Sequence, residues 1–399
     1  MRDPSEFPMK VSLADRLCRV TWGWYSVSMA TGGVAILLST TPHQFTGLDI
    51  IGRIIFLLNL VIFAAVTGCL LFRFASRSAA LTQSVQDPKE GPFVATGPLA
   101  LATIIIGAEN YGTDACGPWL QTALRVVFWI YVAGALVEAV VQNWYLYHIR
   151  MASREPFALV RLFPSFPAML SGTIASDLAP HQPRDQAIPI LLGGTTLQGF
   201  GFLMSLFIYA EYFYRLNKHG LPTGAERLQM FIAVGPWSFT ALALIGMAQA
   251  AVQQFPARYI LSSVDSPPTT TTTTPVAVPA GEIVLILAAF VAVFLWTMAA
   301  FCLSIAVLSV LAQCRVFGGR GMVPISLAYW SMVFPNAGFV IATIRLGQVL
   351  QSAAILWVTS GLTICQVTAW LCVGSATVWA VVTRRMLWPE DEMDAKKGG

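Results

Sequence analysis

Ten apolar runs follow one another along this chain, at roughly 19–40, 50–75, 92–109, 117–148, 158–176, 187–216, 229–252, 281–313, 325–348 and 352–385. They recur near the length of about 20 residues that an α-helix needs to cross the hydrocarbon core of a bilayer. Composition agrees: 56% of the 399 residues are hydrophobic and 11% charged, against about 25% charged in a soluble domain. Water cannot solvate such a chain. The expected fold class is an all-α membrane protein with ten transmembrane helices, and its first partner is the lipid bilayer.

The charges outside the runs orient it. Eighteen Lys and Arg residues lie in the N-terminal segment, the tail and every second loop, whereas the opposite loops hold only Arg184 and Arg258. By the positive-inside rule both termini are cytoplasmic. Residues 1–18 are mixed and charged, unlike a signal peptide, and read as a cytoplasmic N-terminal segment. Residues 19–385 form the membrane domain and 386–399 a cytoplasmic tail. Within the loop 263–280 lies "DSPPTTTTTTPVAVP", a Pro/Thr-rich insert on the non-cytoplasmic side that reads as an extended spacer.

The runs alternate in character. The even ones are long and mostly uninterrupted. The odd ones are shorter and broken by Gly or Pro: Thr31, Gly32 and Gly33 in the first; Gly97 and Pro98 in the third; Pro164, Pro167 and Gly172 in the fifth; Gly235 and Pro236, with Phe239 after them, in the seventh; Pro335, Asn336 and Gly338 in the ninth. Proline removes a backbone bond and disturbs the preceding turn. At membrane depth irregular backbone is tolerated where protein buries it or where it lines a wet cavity. The alternation therefore predicts an inner set of five broken helices around a pore, walled by the even ones. Broken helix ends attract anions through their dipoles, and glycines let a ligand approach the backbone.

Other chemistry is poorly supplied. Seven scattered cysteines form no CxxC, and four histidines lie apart in loops or at segment ends. No HExxH, GxSxG or phosphate-loop pattern occurs. Neither a metal site nor a cofactor is expected, an enzyme is not the reading, and the basic residues sit in membrane loops rather than in a nucleic-acid footprint. Glu138, mid-helix in "GALVEAVVQNW", is a candidate for proton coupling or a polar bridge to another helix. Arg73, at the cytoplasmic end of the second run, is a candidate substrate contact or a snorkelling anchor. Arg345 lies about three turns beyond Phe334 and is either an exit-site charge or an interfacial anchor. Glu109 and Asp177 end odd runs on the outer side, where they shape a pore mouth or are solvated.

Several blocks carry a resemblance. "VTWGWYSVSMATGGVAILL", "VGPWSFTALALI", "FLWTMAAFCLSIAVLSVL" and "VFPNAGFVIATIRLGQ" resemble the fungal malic acid transport proteins of the tellurite-resistance/dicarboxylate transporter family, which also holds slow anion channels and sulfite efflux pumps. The likeness runs from about Val20 to Arg385. It implies five helical hairpins in quasi-five-fold arrangement around a central pore, a homotrimer of independent pores, and a small anionic substrate. It also implies a pore gate at Phe334, just before Pro335, and a plasma-membrane location. The expected cargo is a C4-dicarboxylate such as malate or succinate; the alternative is efflux of sulfite or another small anion or acidic secondary metabolite. Fungal dicarboxylate carriers often have an arginine after "ALALI", where this chain has "GMAQAA" and Gln249, which favours the alternative; Gln249 and Arg345 join Arg73 as candidate substrate-binding residues.

Overall fold

A computed structural model describes residues 13–77, 79–87, 89–149, 159–256, 279–313 and 323–388. The N-terminal segment to residue 12, the Pro/Thr-rich insert up to residue 278 and the tail from residue 389 lie outside the described residues. Among those described, all regular structure is helical. Ten longer helices are named here in chain order: α1 (Tyr25–Thr40), α2 (Leu48–Ser76), α3 (Thr96–Cys116), α4 (Pro118–Ile149), α5 (Phe166–Leu178), α6 (Arg184–His219), α7 (Val234–Gln254), α8 (Ala280–Gln313), α9 (Phe334–Val349) and α10 (Ala353–Val382). Eight stretches among the described residues are long and apolar enough to cross a membrane; α1 and α5, of 16 and 13 residues, are too short to count by themselves.

Burial separates the helices into two layers. In the most apolar window of Glu226–Gln254, which contains α7, 89% of residues are buried, whereas in those of α2 and α10 only 22% are. Every residue of α5 except Asp177 is buried. The outer layer turns Phe207, Ile286, Phe294, Trp357 and Ile364 outward. In water such a surface would aggregate; in a bilayer it is the solvated face, and the molecule is a multi-pass membrane protein.

The packing order is cyclic. Each odd helix packs against the even helix that follows it, and α1 packs on α3, α3 on α5, α5 on α7, α7 on α9, and α9 back on α1. Between α3 and α4 a single residue, Gly117, turns the chain at φ +79° and ψ −172°, a region open almost only to glycine, and Pro118 then starts α4.

The interruptions differ from the sequence expectation in a definite way. The prolines do not break the odd helices from within. A 3₁₀ segment precedes each one: Trp22–Trp24, Gly91–Ala95, Leu159–Ser165, Met230–Ala233 and Leu327–Met332. Pro167 and Pro335 are the second residues of α5 and α9, and Pro98 and Pro236 the third residues of α3 and α7. In a first turn the N–H that proline lacks has no intrahelical acceptor to lose. The irregularity is the 3₁₀-to-α junction itself, and Pro164 lies inside one. The 3₁₀ turns also occupy amides expected to be free: the cap N–H groups of Tyr25, Thr96 and Val234 bond to carbonyls of the preceding turns.

Side chains of the outer helices satisfy carbonyls at these junctions, as a lipid environment demands. Gln366 of α10 donates to the Val333 carbonyl at 2.6 Å. Tyr209 of α6 donates to Ala233 at 2.5 Å, and Tyr131 of α4 to Pro167 at 2.9 Å. Gln142 of α4 donates to the Gly91 carbonyl.

Candidate functional site

The inner helices enclose a narrow cavity of about 20 Å³, room for roughly one water molecule. Its walls come from α1, α3, α5, α7 and α9, and from no even helix. The lining follows helical spacing. On α9 it is Phe334, Ala337, Gly338, Ile341 and Arg345; on α1 it is Gly33, Ile36 and Thr40; on α5 it is Leu170, Thr173 and Asp177. Thr103 and Ile106 complete it from α3, and Phe239 and Leu242 from α7. Steps of three, four, seven and eleven residues return to one helix face.

Two aromatic rings border this space. Phe334 is 3% exposed. Its ring stacks on that of Phe239, with centroids 4.9 Å apart and an interplanar angle of 26°, a favourable offset geometry. Glycines seat both rings. A Cβ on Gly33 would stand 3.2 Å from Cδ2 of Phe334, and one on Gly338 would stand 2.8 Å from the Phe239 ring. Absence of side chains at these two positions leaves room for the rings to meet.

Polar groups along the walls are few. The Thr103 hydroxyl donates to the Ala100 carbonyl, and the Thr173 hydroxyl is buried with no hydrogen-bond partner. At the C-terminal end of the ring, Nη2 of Arg345 lies 2.6 Å from Oδ1 of Asp177, and Nη1 lies 3.5 Å from Oε1 of Gln249. Both ion-pair side chains are 14% exposed. Nearby, Nδ1 of His181 is 2.8 Å from Oε1 of Glu109, whose Oε2 is buried and meets no donor. Beyond Arg345 a second, more open space of about 390 Å³ is bounded by Ser176, Gly246, Gln249, Gln253 and Arg345.

The residues singled out in the sequence divide accordingly. Phe334, Phe239, Gly33, Gly338 and Arg345 meet at the cavity, and Gln249 joins Arg345 at its end. Thr31 instead receives a hydrogen bond from Trp370. Gly32 lets α1 approach Thr103 and Asn59, Gly172 faces Gln198, and Gly97 packs near Tyr25. Asn336 donates to the Met332 carbonyl, closing the junction ahead of α9. Pro98, Pro167, Pro236 and Pro335 start their helices without lining the cavity. Arg73 lies elsewhere: its Nη1 and Nη2 grip Glu90 at 2.7 and 3.0 Å, and Nη1 also reaches the Val20 carbonyl. Glu138 is on an outer helix, its carboxylate oxygens buried without a hydrogen-bond partner and outside the cavity lining. Among the described residues no group of three or more His, Cys, Asp and Glu could hold a metal ion.

Ile36, Thr40, Thr103, Ile106, Leu170, Thr173, Leu242, Ala337 and Ile341 line the cavity without standing out in the sequence. Their signal was present: stepping by three, four or seven residues from Gly33, Phe239 and Phe334 reaches those on α1, α7 and α9.

The voltage-dependent anion channel family profile matches residues 19–378. A malic acid transport protein of Schizosaccharomyces pombe is 31% identical over 344 residues, covering 86% of this chain and 74% of the relative. A putative malic acid transport protein of the same organism is 31% identical over 89% of this chain and 78% of its own length. A sulfite efflux pump of Arthroderma benhamiae is 24% identical over 83% of this chain and 82% of its own length.

Proposed function

The chain belongs to the voltage-dependent anion channel family, and from that premise we propose that it carries small organic anions, foremost C4-dicarboxylates such as malate or succinate, through a central pore gated by Phe334. The observation that carries this reading is the cavity: five helices line it, two stacked rings shut it, and a guanidinium waits at its end. A space for one water is too small for a dicarboxylate, so the described conformation is closed. Opening requires Phe334 to leave its stack on Phe239.

In this reading all ten helices span the bilayer as five hairpins in quasi-five-fold arrangement. With their 3₁₀ lead-ins, α1 and α5 reach about 30 and about 34 Å at 1.5 Å per α residue and 2.0 Å per 3₁₀ residue, enough for the hydrocarbon thickness. Both termini are cytoplasmic, the membrane is the plasma membrane, and three copies assemble with one pore each. Nothing in the lining calls for catalysis.

One observation favours a second reading. Among the cavity's lining residues Arg345 is the single cation, and Asp177 already neutralises it. That suits a small monovalent anion, such as hydrogen sulfite or a monocarboxylate, better than a dianion. Uptake of radiolabelled malate into proteoliposomes, with sulfite as competitor, separates the two. Saturable malate uptake supports the first reading; sulfite flux without malate flux supports the second and overturns the first.

A further inference from the structure

Among the described residues two arginine–carboxylate pairs have side chains no more than 15% exposed, and they are built differently. Arg73 and Glu90 meet through two parallel bonds, and Arg73 spends a further contact on the Val20 carbonyl. That fork-to-fork geometry is how arginine saturates a carboxylate. Arg345 meets Asp177 through one bond only, from Nη2 to Oδ1. Its Nη1 has a long contact to Gln249, and its Nε is buried with no acceptor. A guanidinium carries five donors, and a buried donor without an acceptor is costly.

Arg345 lines both the closed cavity and the open vestibule of about 390 Å³, a volume within the range of small-molecule sites. Gly246 on α7 makes the position possible: a Cβ there would strike Nη1 of Arg345, and would come within 2.7 Å of the Ser176 Cβ. Gln249, one turn further along α7, adds an amide to the same wall.

We propose that Arg345 is the carboxylate-recognising residue of an anion site in this vestibule, and that Asp177 is a built-in competing carboxylate which the anion must displace. The proposal rests on the anion-transport reading. While Asp177 holds Nη2, the pair carries no net charge, and an arriving anion is attracted weakly. Nη2 belongs to both forks of a guanidinium, with Nε on one edge and Nη1 on the other, so an incoming carboxylate gains two parallel bonds only after Asp177 has left. Once displaced, Asp177 keeps the His181 imidazole and the Glu109 carboxylate as ionisable neighbours, both within electrostatic reach. From the other packed elements α1 and α7 contribute no charge to the lining. The exchange places the carboxylate at the head of the cavity, on the same face of α9 as Phe334. Asp177 therefore sets affinity, and Arg345 sets the preference for carboxylates over spherical anions.

The test is direct binding of malate to the purified full-length protein by isothermal titration calorimetry, with flux in proteoliposomes measured separately. Asp177→Asn keeps a hydrogen-bond acceptor for Arg345 and removes its charge; malate should bind about tenfold more tightly. Arg345→Gln should abolish binding, and the double variant should behave as Arg345→Gln alone. If Arg345→Gln does not fold, Arg345→Lys keeps the charge without the fork and should bind malate at least tenfold more weakly. Chloride at the same concentration should compete poorly in the wild type. Equal affinity in the wild type and Asp177→Asn, or equal competition by chloride, overturns the proposal: the pair is then a brace. Malate binding that follows this pattern without any flux leaves the site standing and contradicts the transport reading instead.

Discussion

The rings of Phe334 and Phe239 stack 4.9 Å apart where α9 packs against its neighbour α7 in the inner ring. Each ring is seated on a glycine of an adjoining helix. Truncation of either should leave a passage. Phe239→Ala removes a stack worth about 1 kcal/mol beyond its buried area and should raise anion conductance severalfold in patch-clamp recordings. An unchanged conductance would mean that Phe334 seals the pore unaided.

Gly338→Ala approaches the same seal from the backbone. The added methyl would stand 2.8 Å from the Phe239 ring, so the ring must move. Overpacking of this kind costs about 1–3 kcal/mol. A thermal-shift assay in detergent should show a lower melting temperature, accompanied by a leak current. Full stability with a normal closed state would show that the ring relaxes freely, against the tight fit described.

Gln366 holds the junction from which Phe334 emerges, through its bond to the Val333 carbonyl. Gln366→Leu should cost about 1 kcal/mol. Because the Ala337 amide still donates to the same carbonyl, the fold should survive. The expected signature is a modest fall in thermal stability with a detectable leak; a leak-free variant would uncouple the junction from the gate.

Arg73 and Arg345, equal candidates in the sequence, should separate in experiment. Arg73→Gln leaves Glu90 uncompensated in a site where its side chain is 13% exposed, at a cost of about 3 kcal/mol. Its effect should fall on stability, with the KM for the anion unchanged. An increase in KM without loss of stability would return Arg73 to the substrate path.

Much of this architecture is legible in the sequence because lipid imposes it. Apolar length marks helices, and the recurrence of Gly and Pro in alternate runs distinguishes the inner five. The 3₁₀ segments are hidden, since they share composition and most of their backbone region with the α-helices they precede. A proline such as Pro335 reads as a break when the true helix start, one residue earlier, is unknown. Even so, Arg345 stands eleven residues after Phe334, close to three full turns, which already places both on one face. Its partner could not be read: Asp177 lies 168 positions away, and a single sequence carries no record of such contacts. The same holds for the pairing of Arg73 with Glu90.

The most direct measurement of the central claim is radiolabelled malate flux into proteoliposomes containing the wild type, Phe334→Ala or no protein. The account predicts saturable flux above the protein-free background for the wild type and a flux about tenfold higher for Phe334→Ala. Flux through Phe334→Ala that stays at the wild-type level, with both proteins folded and inserted, would contradict a pore closed by this ring.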